Sequence, residues 1–370
     1  MFSKNLVLLF VFFIISYCSI DNTSNTDSAE NLKREHKSYK SEPVSIIKTP
    51  HSGDVFKLGD SITINIKIKK KIKKTDSVQF YIGEKHFVSL HIIDDQVGAS
   101  FIINDLNVGI HILKSIIYYN DSLKEIKRLN IKLLSDIAPR IFSYKVINIF
   151  PHNIESFTQG LVYEGGFLFE GTGQWGKSNL LKHDISTGKL VGKVNLTNDL
   201  FGEGITVFDD KIIQLTWKSN IGFIYDKNSF NFMHKVYYEA REGWGITYDG
   251  IQLIMSDGTN VLYFIDKIYF TEIKQVEVYD DLGAVSSLNE LEYINGEVYA
   301  NIYRKDQIVS IDPETGKILK KINLNGLLDQ KDYHDKIDVL NGIAYNAEKN
   351  TYYLTGKNWP KLFELKFIPK

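Results

Sequence analysis

Five short stretches decide how this chain is read: TQGLVY (Thr158 to Tyr163), GEGITV (Gly202 to Val207), GWGITY (Gly243 to Tyr248), LNELEY (Leu288 to Tyr293) and VLNGIAY (Val339 to Tyr345). Aligning Gly160, Gly204, Gly245, Glu290 and Gly342 gives spacings of 44, 41, 45 and 52 residues, the period of one propeller blade per repeat. After each stretch comes a turn and a second apolar strand: GFLFEG, KIIQLTW, QLIMSDG, EVYANIY and TYYLTG. A third strand ends near an aspartate in four repeats, as in LLKHD and GFIYD, and a fourth alternates outward, as in KLVGKVNL. Four strands per repeat and five repeats fill Ser143 to Lys370. YKVINIF (Tyr144 to Phe150) resembles the outer strands, while the fifth repeat stops after its third, so the early strand is expected to complete the last blade and close the ring.

Upstream, Pro43 to about Asp136 alternates with period two between GD, GE and ND turns, as in SITINIKIKK (Ser61 to Lys70). Such spacing predicts a small antiparallel sandwich of immunoglobulin-like type over 43–138. The lysines of Lys67 to Lys74 read as the solvent face and guarded end of an edge strand. The fold class expected is therefore all-β: an immunoglobulin-like β-sandwich followed by a five-bladed β-propeller over 143–370.

The chain opens MFSKNLVLLFVFFIISYCSI, with Lys4 before an apolar run, Leu6 to Ile15, too short to span a bilayer as a helix. That is the pattern of a secretory signal over 1–18. Cys18, the only cysteine, falls where the run ends, and a lone cysteine makes no internal disulfide. Two readings stand. In one, Cys18 is the lipidated residue of a bacterial lipoprotein, anchored in the cell envelope at the periplasmic or outer face; in the other the protein is secreted and Cys18 leaves with the signal. Residues 19–42 carry too few apolar groups to offset ordering entropy and are expected to form a tether. A net charge of -1 among 370 residues selects neither nucleic acid nor an anionic membrane, so membrane contact is expected through the lipid alone.

EGTGQWGKS (Glu170 to Ser178) matches the phosphate-loop pattern G-x-x-x-x-G-K-[ST] from Gly171 onward. A phosphate loop needs a helix after it, whose N-terminus holds the phosphates. The run SNLLKHDISTGKLVGKV, which begins at Ser178, alternates instead and carries a TGK turn, so the match is the link between two strands. The nine histidines show no H-E-x-x-H and no paired spacing for zinc, and no G-x-S-x-G occurs. Polar groups at equivalent blade positions remain, near the axis where propellers bind ligands.

The repeats resemble the glutaminyl cyclases of the plant and bacterial type, five-bladed propellers that convert N-terminal glutamine into pyroglutamate and release ammonia. The resemblance is carried by FTQGLVY, LFEGTGQWGKS, FGEGITV, LTWKSNIGFIYD, GWGITYDG, SDGTNVLYFID, LNELEYINGEVYANIY, DVLNGIAY and TGKNWPKLFEL, in order, over roughly Tyr144 to Phe367. It implies an aromatic pocket at one end of the channel, with the essential glutamate at Glu170. It also implies substrate-positioning residues at Gln159, Asn289 and Lys357 and pocket aromatics at Phe157, Phe169 and Trp217. Where relatives carry tryptophans in GEVYANIY, this chain has Tyr299 and Tyr303, and Tyr303 is expected to form an aromatic wall. The implied partners are peptides or proteins with an N-terminal glutamine, acted on by a monomer.

The chemistry makes its own demands. The α-amine attacks a carboxamide carbon already in the same molecule, so the entropic cost is mainly conformer choice. A proton must pass from the attacking nitrogen to the departing ammonia, and charge on the carboxamide oxygen must be stabilised. One partly desolvated carboxylate serves the first need, and Glu170 is the candidate. Gln159, Asn289, Lys357 and the Trp217 N–H are candidates for the second need and for holding the amine. No metal or organic cofactor is required. The other reading is a non-catalytic envelope propeller that binds peptide N-termini or glycans, which has no need of an acid at position 170.

Overall fold

A computed structural model describes residues 42–69, 75–120 and 123–370. The signal at 1–18 with Cys18, nearly all of the tether at 19–42, and Lys70 to Lys74 of the lysine run lie outside the described residues. Pro43–Lys370 group as one unit built almost wholly of strands, and the only helical turn among the described residues is Gln330–Asp332.

Two sheets form the first part. Ser45–Thr49, Ser61–Ile68 and Gln96–Ile102 make a three-stranded sheet. A five-stranded sheet runs in the order Val55–Lys57, Leu123–Leu134, Gly109–Tyr119, Thr75–Ile82, Lys85–His91. Ile62, Ile64, Ile66 and Ile68 turn inward, alternating with exposed Ser61, Thr63, Asn65 and Lys67, and meet Val78, Phe80, Leu113, Ile117 and Ile131 in one core. Period-two burial of this kind fixes register, because a one-residue slip would expose every isoleucine. The strand expected at an edge is in fact the centre of its sheet, paired on both sides. Its outward lysine, Lys67, faces solvent without lying on an edge.

The repeats from Thr158 onward, together with the earlier strand Arg140–Pro151, form five four-stranded antiparallel units. The first comprises Thr158–Glu164, Phe167–Thr172, Asn179–Asp184 and Leu190–Asn195, and the next three begin at Gly202–Phe208, Ile246–Tyr248 and Leu288–Ile294. The fifth comprises Leu340–Asn346, Thr351–Gly356, Lys361–Pro369 and, as its outer member, Arg140–Pro151. The early strand thus pairs with the last one, as expected from YKVINIF. It also pairs in parallel with Ile318–Asn323 through Arg140 to Phe142, so the fourth and fifth sheets run together as eight strands. The innermost strands touch in cyclic order, the fifth against the first, which closes a ring.

Close approach of those inner strands is a glycine requirement. A Cβ on Gly245 would lie 2.1 Å from the Asn289 carbonyl oxygen of the next sheet, and one on Gly204 would lie 2.5 Å from that of Trp244. In the fourth sheet the equivalent position is Glu290, whose carboxylate accepts the backbone N–H of Leu161 (3.1 Å) and of Ile343 (2.8 Å) across the axis. The ring also holds the earlier two sheets: Val108 N–H donates to the Thr315 carbonyl, Ser135 N–H to that of Asp280, and Lys317 pairs with Asp136 at 2.7 Å. Tyr279 packs into the core of those sheets.

Candidate active site

In four of the five sheets the pairing slips near the start of the inner strand, between Thr158 and Gly160, Gly202 and Ile205, Leu288 and Leu291, and Leu340 and Ile343. A bulge of this kind re-aims a side chain. The residues just before the aligned repeat position are Gln159, Glu203, Trp244, Asn289 and Asn341. Four of them line one cavity of about 180 Å³ at the end of the ring where the inner strands begin. Trp217, Tyr303 and Lys357, each directly after the second strand of its sheet, supply more of the wall, with Phe157 and Phe201 completing it.

The aromatic lining falls into two groups of touching rings. Phe157 meets Phe201 edge to face at 6.2 Å between centroids, Phe201 meets Trp217 at 5.5 Å, and Trp244 meets Tyr303 at 5.4 Å. Lys357 is buried, its ammonium 4.8 Å from the Phe157 ring centre and 5.2 Å from that of Tyr303. Such rings stabilise a cation that has lost water. Burial nonetheless pulls the Lys357 pKa below the usual lysine range, opposed by the charges of Glu203 and Asp338.

Glu203 is the carboxylate of this pocket. It is 5 % exposed, and its Oε1 accepts Gln159 Nε2–H at 3.1 Å. Burial pushes its pKa well above the usual carboxylate range; the Lys357 charge works against this and Glu242 adds to it. Asn341 Nδ2–H donates to Gln159 Oε1 at 3.4 Å, which sets the orientation of the Gln159 amide. Asn289, 1 % exposed, turns a buried Oδ1 toward no hydrogen-bond partner. A buried acceptor left unpaired costs about 1–3 kcal/mol.

Six of the residues expected at the site therefore meet: Phe157, Gln159, Trp217, Asn289, Tyr303 and Lys357. Glu170 and Phe169 do not join them. Phe169 is interior packing, stacked on Phe230 at 6.1 Å. Glu170 points into the seam between the first and fifth sheets, at a separate cavity of about 310 Å³. There its carboxylate accepts the Thr158 hydroxyl at 2.7 Å and that of Ser156 at 3.3 Å, and pairs with His152 Nε2 at 3.2 Å. His152 Nδ1 lies 2.8 Å from the Trp359 carbonyl oxygen, which only accepts, so Nδ1 donates there while Nε2 faces the Glu170 carboxyl group. Burial alone would raise the pKa of Glu170 and lower that of His152; their mutual attraction and hydrogen bond outweigh it in both, holding Glu170 down and His152 up. Glu170 is thus buried apart from the first cavity, with its carboxyl oxygens engaged by Thr158, Ser156 and His152.

Two further expectations change. The Trp217 N–H donates to Glu242 at 2.6 Å, and the Trp244 N–H to the same carboxylate oxygen at 2.9 Å, so Trp217 offers the pocket a ring face and no donor. Tyr299 lies in the packing between the fourth and fifth sheets, stacked with Phe367, and only Tyr303 reaches the cavity. Sequence reasoning misses Glu203, Phe201 and Trp244, although FGEGITV contains the first two and GWGITYDG the third. Glu203 stands at the same repeat position as Gln159 and Asn289, and that equivalence is the signal that would have found it.

Residues 123–367 match the glutamine cyclotransferase family. Over 236 residues the chain is 41% identical to the glutaminyl-peptide cyclotransferase of Arabidopsis thaliana, an alignment that spans 62% of this chain and 73% of the relative. The crystal structure of Myxococcus xanthus glutaminyl cyclase superposes with a TM-score of 0.58 at 31% identity, covering 63% of this chain and 99% of that one. With two thirds of its length inside the family's bounds and the buried polar pocket inside that match, the chain belongs to the glutamine cyclotransferase family.

Proposed function

We propose that this protein cyclises N-terminal glutamine of peptides or proteins to pyroglutamate, releasing ammonia, at the pocket around Glu203, and that its ring of sheets is a five-bladed propeller preceded by an immunoglobulin-like sandwich. The observation that carries the reading is a buried carboxylate of raised pKa sharing an aromatic cavity with one donor-only group, Lys357, and the polar side chains of Gln159 and Asn289.

The substrate's neutral α-amine forms the new C–N bond to its γ-carboxamide carbon. Glu203, as carboxylate, takes a proton from the attacking nitrogen and delivers it to the nitrogen that leaves, so the C–NH₂ bond breaks with loss of NH₃ and the carboxylate is regenerated. A group with a raised pKa suits both halves of this transfer near neutral pH. Lys357 has no acceptor and serves the carboxamide oxygen, on which negative charge grows. Asn289 lines the cavity beside these groups and orients the substrate. Gln159 holds the Glu203 carboxylate in place.

The test sets the two buried glutamates against each other. Incubation with a Gln-initiated peptide and mass spectrometry should show loss of ammonia for wild type. Glu203→Gln should lower kcat by about 10²–10⁴-fold, the usual worth of a positioned acid–base group, while Glu170→Gln, where folded, keeps turnover. Ammonia loss no faster than the spontaneous background in wild type would end the catalytic reading. Activity that survives at Glu203→Gln would remove Glu203 from it.

A further inference from the structure

The pocket at about 180 Å³ is small beside the roughly 300–1,000 Å³ of sites that enclose drug-sized ligands, and has room for a single residue. The second and later residues of a bound peptide must therefore lie at the rim. One rim feature stands apart from ordinary surface. Trp175 is 52% exposed, yet its ring meets the pocket residue Phe201 edge to face at 5.8 Å, extending the aromatic run Phe157–Phe201–Trp217 outward into solvent.

The segment that presents Trp175 is fixed in place. Gln174 adopts φ +85°, a conformation that non-glycine residues rarely hold unless neighbours enforce it. Its carbonyl oxygen accepts both Lys177 N–H at 3.1 Å and the Ser178 hydroxyl at 2.8 Å. The Ser178 oxygen in turn accepts the N–H of Gly202 at 2.9 Å, the residue directly before Glu203. At Gly173 a Cβ would sit 2.5 Å from Phe201 Cε1, so the segment is pressed against the pocket wall. Holding a tryptophan half in water on a strained, triply hydrogen-bonded turn gains little for folding. A pre-organised aromatic face is what binding by stacking requires.

We propose that Trp175 is the platform for the second residue of the substrate peptide and that it selects an aromatic or large apolar side chain there. The proposal rests on the cyclase reading above. Its physical content is a stacked or edge-to-face contact made outside the reacting centre, so it acts on peptide choice rather than on the chemistry of ring closure.

The experiment compares kcat/KM for the amidated peptides Gln-Phe-Ala and Gln-Gly-Ala, following ammonia release, in wild type, Trp175→Ala and Trp175→Phe. An aromatic pair of ordinary strength predicts that wild type prefers the Phe peptide by about three- to tenfold. Trp175→Ala should bring the ratio to within about twofold of unity, and Trp175→Phe should keep most of it. A ratio that is the same in wild type and Trp175→Ala overturns the proposal while leaving the cyclase reading intact. Turnover of neither peptide by wild type overturns both.

Discussion

Gln159 Nε2 donates to Glu203 Oε1 at 3.1 Å, a bond that joins the first and second sheets across a separation of 44 residues. It sits where two bulges turn side chains toward the axis, and it fixes which way the buried carboxylate faces. Replacing Gln159 by Leu leaves Glu203 without this donor and without the register set through Asn341. The expected result is a fall in kcat/KM of about 10²-fold, as for other sub-ångström losses of alignment, with the thermal midpoint little moved. Steady-state kinetics alongside a melting curve separates the two effects.

Lys357 opposes the rise in the Glu203 pKa. Lys357→Met removes that opposition, so Glu203 should hold its proton to higher pH than in wild type. Because the amine attack needs the carboxylate, the acidic limb of the kcat/KM profile should move upward in pH. A limb that stays in place would show that Glu203 does not govern it.

At the seam, the Glu170–His152 pair ties stability to pH in both directions. Glu170 has its folded pKa below the ordinary 4.5, so its contribution is full above that value and is lost as pH falls through the folded pKa. His152 has its folded pKa above the ordinary 6.5, so its contribution is full below 6.5 and is lost as pH rises through the folded pKa. Their joint stabilisation should peak between about 4.5 and 6.5. Glu170→Gln removes the charge partner of buried His152 and should cost about 3–5 kcal/mol in that window. Urea unfolding at several pH values reads both the size and the flattening of the curve.

Gly245→Ala tests the inner ring. Its Cβ would meet the Asn289 carbonyl oxygen at 2.1 Å, so the neighbouring strand must move. A cost of about 1–3 kcal/mol is expected from overpacking of this kind. Because Asn289 is also a pocket residue, activity should fall at temperatures where the variant is still folded. An unchanged kcat/KM in the folded variant would mean that the strand accommodates the methyl without displacing Asn289.

The ring is legible in the sequence because its determinants are local and repeated: glycine-led inner strands, alternating outer strands and turn residues recur at nearly constant spacing. Gln159 and Asn289 are legible as equivalent starts of inner strands, while Phe157, Trp217, Tyr303 and Lys357 are reached through the family resemblance. The same resemblance points to Glu170, which lies one strand farther from the axis and lines a separate cavity. Nothing in LFEGTG by itself tells a carboxylate paired with a histidine 18 residues upstream from one lining the pocket on the axis. His152 and Glu170 come together only through the closure of the ring. The edge assignment of Ser61–Ile68 fails for a related reason, since alternation marks which face of a strand is wet but not whether both its neighbours are present.

The strand Arg140–Pro151 meets Lys361–Pro369, so that Asn148 Nδ2–H donates to Glu364 Oε2 at 2.6 Å across a sequence separation of 216. On a ribosome, the first strand of the ring would be exposed well before its partner is made. Lys357, which belongs to the last sheet, arrives almost at the end. Such long-range pairing is slow to form because the intervening chain must be closed first. A nascent or truncated chain would therefore hold most of its sheets yet no working pocket, and catalytic competence would come as the final event of folding rather than growing with it.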